Sequence, residues 1–188
     1  DYAFAECYAL ASIEIPSSVT SIGEEAFAAC EALASIEIPS SVTSIGEGVF
    51  SYCGALESVI VESGNTVYDS RNNCNAIIET ATNTLIVVCQ NTVIPSSVTS
   101  IGEYAFRYCS SLTSIEIPSS VTYIGDLAFI ECSSLTSIIV ESGNTVYDSR
   151  DNCNAIIETA THTLIAGCQN TVIPNTVTSI GNYAFSAC

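Results

Sequence analysis

Every proline in this chain follows an isoleucine, and the five Ile-Pro pairs fall on a fixed ruler: Ile15-Pro16, Ile38-Pro39, Ile94-Pro95, Ile117-Pro118 and Ile173-Pro174. Pro16 to Pro39 and Pro95 to Pro118 are equal short steps of about 23 residues, a period in the range of solenoid repeats. Pro39 to Pro95 and Pro118 to Pro174 are equal long steps. The whole pattern therefore returns, Pro16 as Pro95 and Pro39 as Pro118. Each long step is a short one with an insertion, and Val61 to Pro95 recurs almost verbatim as Val140 to Pro174. Such repetition restricts the fold to a stack of like units, each burying its apolar side against its neighbours.

One unit, Ile15 to Glu37, places apolar residues at Ile15, Val19, Ile22, Ala26, Phe27, Cys30, Leu33 and Ile36. Gaps of about three fit neither a long helix nor an alternating strand. They suit a coil that turns repeatedly and points one side chain inward at each corner. Leu33, Ile36 and Ile38 reproduce the strand part of a leucine-rich repeat, and the short step falls within that repeat's range of periods. The expected coil has a short strand at 35–38, paired in parallel with its successor and ended by proline, which has no N–H to donate. Ile45-Gly46 is expected to bend the chain, with glycine free to take a positive φ. Glu24 to Cys30 is expected to be a short helical or 3-10 segment on the convex side. All six phenylalanines, Phe4, Phe27, Phe50, Phe106, Phe129 and Phe185, share one column and form a spine of core.

The two long steps carry inserts at about residues 62–91 and 141–170. Each reads as a β-hairpin that merges into the solenoid: Asn75 to Glu79 out, Thr80 to Asn83 as the turn, Thr84 to Cys89 back. A symmetric register sets Glu79 opposite Thr84, Ile77 opposite Ile86 and Cys74 opposite Cys89. The second copy would set Cys153 opposite Cys168. Directly opposed antiparallel residues permit a disulfide, so Cys74–Cys89 and Cys153–Cys168 are candidate bridges, with free core thiols as the alternative.

The string Ile94 to Pro118, IPSSVTSIGEYAFRYCSSLTSIEIP, resembles the BspA-like, or Treponema-type, leucine-rich repeat family, and the likeness extends over essentially the whole chain. The resemblance implies a right-handed solenoid from a bacterial or protist surface or secreted protein, with adhesion among the functions of its relatives. It supplies no catalytic residue and no cofactor site.

The charge balance narrows the partners. Three arginines, no lysine and 20 acids give a formal charge of −17. No basic patch exists to neutralise nucleic-acid phosphates or an anionic membrane surface. With 48% apolar and 12% charged residues, the chain is not disordered by composition. No apolar run reaches the length of a membrane span, so direct membrane insertion is not expected.

Candidate chemistry is sparse. Cys7, Cys30, Cys53, Cys109, Cys132 and Cys188 form a column just after the phenylalanines. Metal-type Cys-x-x-Cys pairs are absent, and parallel neighbours lie too far apart to bridge, which points to free buried thiols. Asp69 to Asn73 and Asp148 to Asn152 lack the spacing of a calcium loop and read as polar turns. His162 stands alone in a hairpin turn, without a nucleophile and acid of its own. No catalytic, cofactor or metal residue is assigned.

The outward strand positions form the candidate binding face. One column is Glu14, Glu37, Ile60, Val93, Glu116, Ile139 and Val172, and the other is Ser12, Ser35, Ser58, Asn91, Ser114, Ser137 and Asn170. Concave solenoid faces are common binding surfaces; the glutamates read first as a solvated sheet face, with a basic-ligand site as the alternative, and the Ile and Val positions would be either covered by the inserts or kept for a partner. The expectation is one leucine-rich repeat solenoid segment, residues 1–188, part of a longer extracellular or cell-surface protein. Its function would be non-enzymatic binding of host or microbial surface proteins, as in adhesion. The alternative is a building block of an extracellular fibre or coat, in which apolar ends self-associate by stacking.

Overall fold

The computed structural model describes residues 1–186 and Cys188. In chain order its short strands are β1 (Ser21–Ile22), β2 (Ser35–Ile38), β3 (Ser44–Ile45), β4 (Ser58–Val61), β5 (Tyr68–Asp69), β6 (Ala76–Glu79), β7 (Thr84–Val88), β8 (Ser100–Ile101), β9 (Ser114–Ile117), β10 (Tyr123–Ile124), β11 (Ser137–Val140), β12 (Tyr147–Asp148), β13 (Ala155–Glu158), β14 (Thr163–Gly167) and β15 (Ser179–Ile180). The chain winds them into a β-solenoid.

Two kinds of parallel ladder run along it. The four-residue strands pair β2 with β4 and β9 with β11, in the register Glu37↔Ile60 and Glu116↔Ile139. Their burial alternates, so Ile36 and Ile38 point inward while Ser35 and Glu37 face solvent. The two-residue strands pair β1 with β3 and β8 with β10. In each insert-bearing coil the hairpin's return strand takes that place: β7 pairs with β8, and β14 with β15.

The expected helical segments after each Gly are not helices. Glu24 to Cys30 is a run of tight turns in which Glu25 and Ala29 have positive φ. Every second amide reaches the next coil: Glu25 N–H donates to Glu47 O, Phe27 to Val49 O and Ala29 to Ser51 O. Helix-like composition yields here to a ladder that satisfies the backbone between coils. Among the described residues, 3-10 turns occur at Arg71–Asn73 and Arg150–Asn152, inside the inserts.

Gly46 is needed for a different reason from the one expected. Its φ is not positive; a Cβ there would lie 2.3 Å from Glu24 N in the adjoining coil. Gly125 meets Glu103 N in the same way, at 2.5 Å. Close approach of two backbones, and not an unusual dihedral, demands glycine at this corner.

The phenylalanine column stacks as a spine. Ring centroids are 5.3 Å apart for Phe4–Phe27, 5.6 Å for Phe27–Phe50 and 4.6 Å for Phe106–Phe129. Between Phe50 and Phe106 the insert coil contributes no ring.

Each insert is woven into the core. β6 pairs antiparallel with β7, and Ala76, Ile77 and Ile78 are all fully buried. Alternation along β6 sends Ile77 to the apolar cluster of the earlier coils, and Ala76 and Ile78 to that of the later ones. β13 does the same, with Ile156 facing one cluster and Ala155 and Ile157 the next. The strands thus partition the core into three compartments.

The hairpin register departs from symmetry. Glu79↔Thr84 and Ile78↔Leu85 hold, but a bulge follows, and Ile77 pairs with Val87 instead of Ile86. The second hairpin shifts identically, pairing Ile156 with Ala166. One extra residue on the return strand moves Cys89 off Cys74 and Cys168 off Cys153. All four are free thiols, and Cys89 and Cys168 donate instead to Asn75 O and Asn154 O, each at 3.3 Å.

Candidate binding face

The outward column lies in the open. Glu14, Glu37, Glu116, Asn91 and Asn170 are exposed, as are Ser12, Ser35 and Ser114, while Ser58 and Ser137 are half-buried. The inserts do not cover the apolar members: Ile60 is 49% exposed, Val93 71%, Ile139 51% and Val172 72%. The strands therefore present isoleucines beside glutamates, one coil apart, on a solvated sheet.

The sheet is interrupted where the inserts enter. Gln90 N–H still reaches Leu56 O at 3.2 Å, but a little further on Val93 N–H bonds to Cys74 O of the insert. Ser70 Oγ takes over the N–H of Val61. Val93 shares the column of Glu37 and Ile60, and Asn91 that of Ser35 and Ser58, but neither joins the ladder, since residues 91–94 are not a strand. Asn170 and Val172 are placed likewise, with Val172 N–H on Cys153 O. Beside residues 92–94 a cleft of about 350 Å³ opens against β9, lined by Val93, Ile94, Ser96, Ile115, Glu116 and Glu141 among others.

A polar network outside the expected candidates holds each insert in place. Asn65 spends its whole amide: Nδ2 donates to Pro39 O and Val42 O, and Oδ1 accepts from Val67 N and Tyr68 N, all within 3.0 Å. Asn144 repeats all four bonds. Glu62 and Glu141 accept from Ser40 N and Ser119 N, and those backbone bonds hold both carboxyls below the usual range. The only sequence signal for these residues is their recurrence in both long steps, since an exposed Gly-Asn otherwise reads as a turn.

The loops weighed as calcium sites are arginine clips. Arg71 Nε bonds Asp69 Oδ1 at 2.7 Å and Nη1 reaches Asn83 Oδ1 at 2.8 Å, tying the loop to the hairpin turn. Burial pushes the Asp69 carboxyl up, but the Arg71 hydrogen bonds outweigh it and leave it low. Arg150 makes the same pair with Asp148, and there His162 Nδ1 lies 3.3 Å from Nη1. Arg107 packs over Tyr108 and Tyr104, with Glu25 at 3.8 Å. All three cations are thus engaged internally. Among the described residues no group of His, Cys, Asp and Glu is placed to hold a metal ion, and no helix is long and apolar enough to cross a membrane.

The cysteine column forms a second stitch between coils. Cys30 Sγ donates to Phe4 O, Cys53 to Phe27 O and Cys132 to Phe106 O, at 3.1 to 3.3 Å. Burial pushes the Cys53 and Cys132 thiols up to about 12 and Cys74 to about 11. These sulfurs are small hydrophobes with a weak donor, not nucleophiles.

The repeat, the ladders and the thiol column agree with one family. A model of the BspA type leucine rich repeat region matches residues 1–86, 84–163 and 156–188, in six copies. The chain belongs to the BspA-type leucine-rich repeat family. A leucine rich cell surface protein from Faecalibacterium prausnitzii is 30% identical, with a TM-score of 0.62; the match covers 97% of this chain and 46% of that one. A leucine-rich repeat protein from Eubacterium ventriosum is 22% identical at a TM-score of 0.55, over 93% of this chain and 57% of that one. The pneumococcal vaccine antigen PcpA is 22% identical at 0.56, over 90% and 46%. The chain thus spans about half the length of these solved structures. No curated protein matches it.

Proposed function

We propose that the protein is a non-enzymatic module of an extracellular or cell-surface protein, and that its strand face binds another macromolecule, in adhesion. The reading rests on one observation: Ile60 and Ile139 stand about half exposed beside glutamates on the parallel ladders, and Val93 and Val172 stand more exposed still in the same column. Interface cores are apolar with a polar rim, and this face has that composition. With a charge of −17 and its arginines occupied, the face suits a partner carrying basic groups. The F. prausnitzii relative, named as a cell surface protein, supports the location.

The test is capture of host matrix, serum and microbial surface proteins on the immobilised chain, beside an Ile60→Asp/Ile139→Asp variant of unchanged circular dichroism. Specific capture that the variant loses supports the reading; equal capture by both overturns it.

A further inference from the structure

We infer that the cleft beside β9 takes an extended, basic segment of a partner polypeptide, which adds as a strand to the free edge of β9. The inference deepens the proposed function and rests on it, since it assigns a partner chemistry and a binding mode to one part of that face.

The edge is a consequence of the insert. β9 pairs with β11 alone: Thr113 O accepts from Thr136 N and Ser137 N, and Ile117 O from Glu141 N. In a parallel ladder alternate residues turn both their N–H and C=O to one side. Residues 113, 115 and 117 are turned to β11, so Ser114 and Glu116 turn theirs to the cleft. No backbone hydrogen bond joins residues 90–94 to residues 113–117 among the described residues. The preceding coil has been drawn away, with Val93 N–H on Cys74 O.

The far edges of β4 and β11 are partly filled. β4 has its far side occupied by Ser70 Oγ on Val61 N and Asn91 Nδ2 on Glu57 O. β11 has Ser149 Oγ on Val140 N. β2 touches the first coil through Ala34 N on Ala11 O, and among the described residues no backbone bond from that coil reaches Ser35 or Glu37. β9 keeps a gap of about 350 Å³ in which the missing strand would lie.

The lining selects the occupant. Ile94, Ile115 and Pro118 give an apolar floor, Val93 an apolar lip, and Glu116 and Glu141 two carboxylates at the rim. An added strand would gain main-chain bonds from Ser114 and Glu116, and its alternate side chains would meet the floor and the acids. No cation of the chain reaches this rim: Arg71 and Arg150 are clipped to aspartates, and Arg107 lies among tyrosines and Glu25. The charge must come from the partner, as lysine or arginine alternating with apolar residues.

The probe is a capped synthetic peptide of about eight residues, alternating valine and lysine, long enough to cover β9. Two relatives of it are a glutamate-for-lysine peptide and one N-methylated at alternate residues, which cannot make half of the ladder bonds. Binding to the full chain is read by fluorescence anisotropy, and the amide signals of Ser114 and Glu116 by NMR. The expected result is saturable binding with shifts at both amides, weakened about tenfold or more by N-methylation and by Glu116→Lys, and unchanged by Ile60→Asp. The glutamate peptide should not bind. Binding indifferent to N-methylation overturns strand addition. Absence of binding, with capture of a partner through Ile60 and Ile139 intact, overturns this inference and leaves the proposed function standing. Peptide binding without any such capture does the reverse.

Discussion

The two inserts follow one backbone path and are closed off by different chemistry. In the first, the turn bearing Phe50 meets the turn bearing Phe106 through a Tyr52–Tyr108 stack at 3.9 Å, with Arg107 over the Tyr108 ring. Ser111 Oγ adds a bond to Gly54 O at 2.6 Å. In the second, Glu131 stands in the place of Tyr52, and its carboxylate accepts from Ser186 Oγ at 3.0 Å. Val87 and Val88 have become Ala166 and Gly167, beside a cavity of about 490 Å³ lined by Tyr104, Leu127, Phe129, Ala166 and Tyr183 among others. The asparagine network of Asn65 and Asn144 is the same in both. What must be kept to weave a hairpin into this solenoid is therefore the satisfaction of backbone groups; side-chain closure over it is free to vary.

The sharpest way to break that comparison is to remove its common part. Asn65→Ala and Asn144→Ala each strand two carbonyls and two amides, at a cost of about 3 kcal/mol or more. Urea denaturation should show similar losses for both. A loss below about 1 kcal/mol in either would mean that the networks are not equivalent.

Exchanging the variable part should be costly in both directions. Val88→Gly removes a buried side chain beside fully buried Phe106 and should cost about 2–3 kcal/mol. Gly167→Val meets an occupied space, since a Cβ there would lie 2.4 Å from the Phe185 ring. Thermal unfolding should show both variants destabilised; a neutral Gly167→Val would mean that the Phe185 ring moves freely.

The hairpin turns offer a gentler exchange. Position 83 is asparagine and position 162 histidine, both at positive φ, and each faces the clipped arginine. Asparagine suits the left-handed region better and accepts at 2.8 Å. His162→Asn should stabilise the second copy by up to ~1 kcal/mol, and Asn83→His should do the opposite. Equal melting curves for both variants and the parent would remove any role for the arginine contact.

The thiol columns should not distinguish the copies at all. Cys53 and Cys132 are both pushed up to about 12 by burial, so the folded protein holds their protons to higher pH than the unfolded chain does. Their contribution to stability is complete below the ordinary thiol range and is lost as pH rises through about 12. Alkylation of the native protein at neutral pH should label the exposed Cys7 and Cys188 first and leave the buried Cys30, Cys74 and Cys153 for last. Equal labelling rates by mass mapping would contradict this order.

The legible and illegible parts of this fold divide along one line. The Leu33-Ile36-Ile38 pattern and its counterparts locate β2, β4, β9 and β11, because inward alternation acts on a single strand, but the same reading expects strands at 12–15, 91–94 and 170–173, and none forms there. The Glu79↔Thr84 pairing is legible from the polar turn between them. The bulge beyond it is not: Ile77, Ile78, Ile86 and Val87 are all apolar, so slipping by one residue changes no polar contact that a sequence displays. Glu24 to Cys30 reads as helix because Glu and Ala carry a helical bias, while the ladder that overrides it comes from the adjoining coil. The outward columns follow from the alternation of each strand, but the cleft beside β9 does not. It arises from a displacement of residues 91–94 that no residue in that stretch announces.

The partitioning by β6 and β13 has a mechanical consequence. A solenoid with one continuous core shares strain along its length, so a tear at one coil can run to the next. Here Ile77 and Ile156 stand in transverse walls, much as bulkheads divide a hull. Tension along the axis, such as a tethered surface protein bears under flow, would open one hold at a time, each closing again against a wall still intact. A force-extension trace should then rise in separate steps that survive repeated cycles, in place of one irreversible rupture.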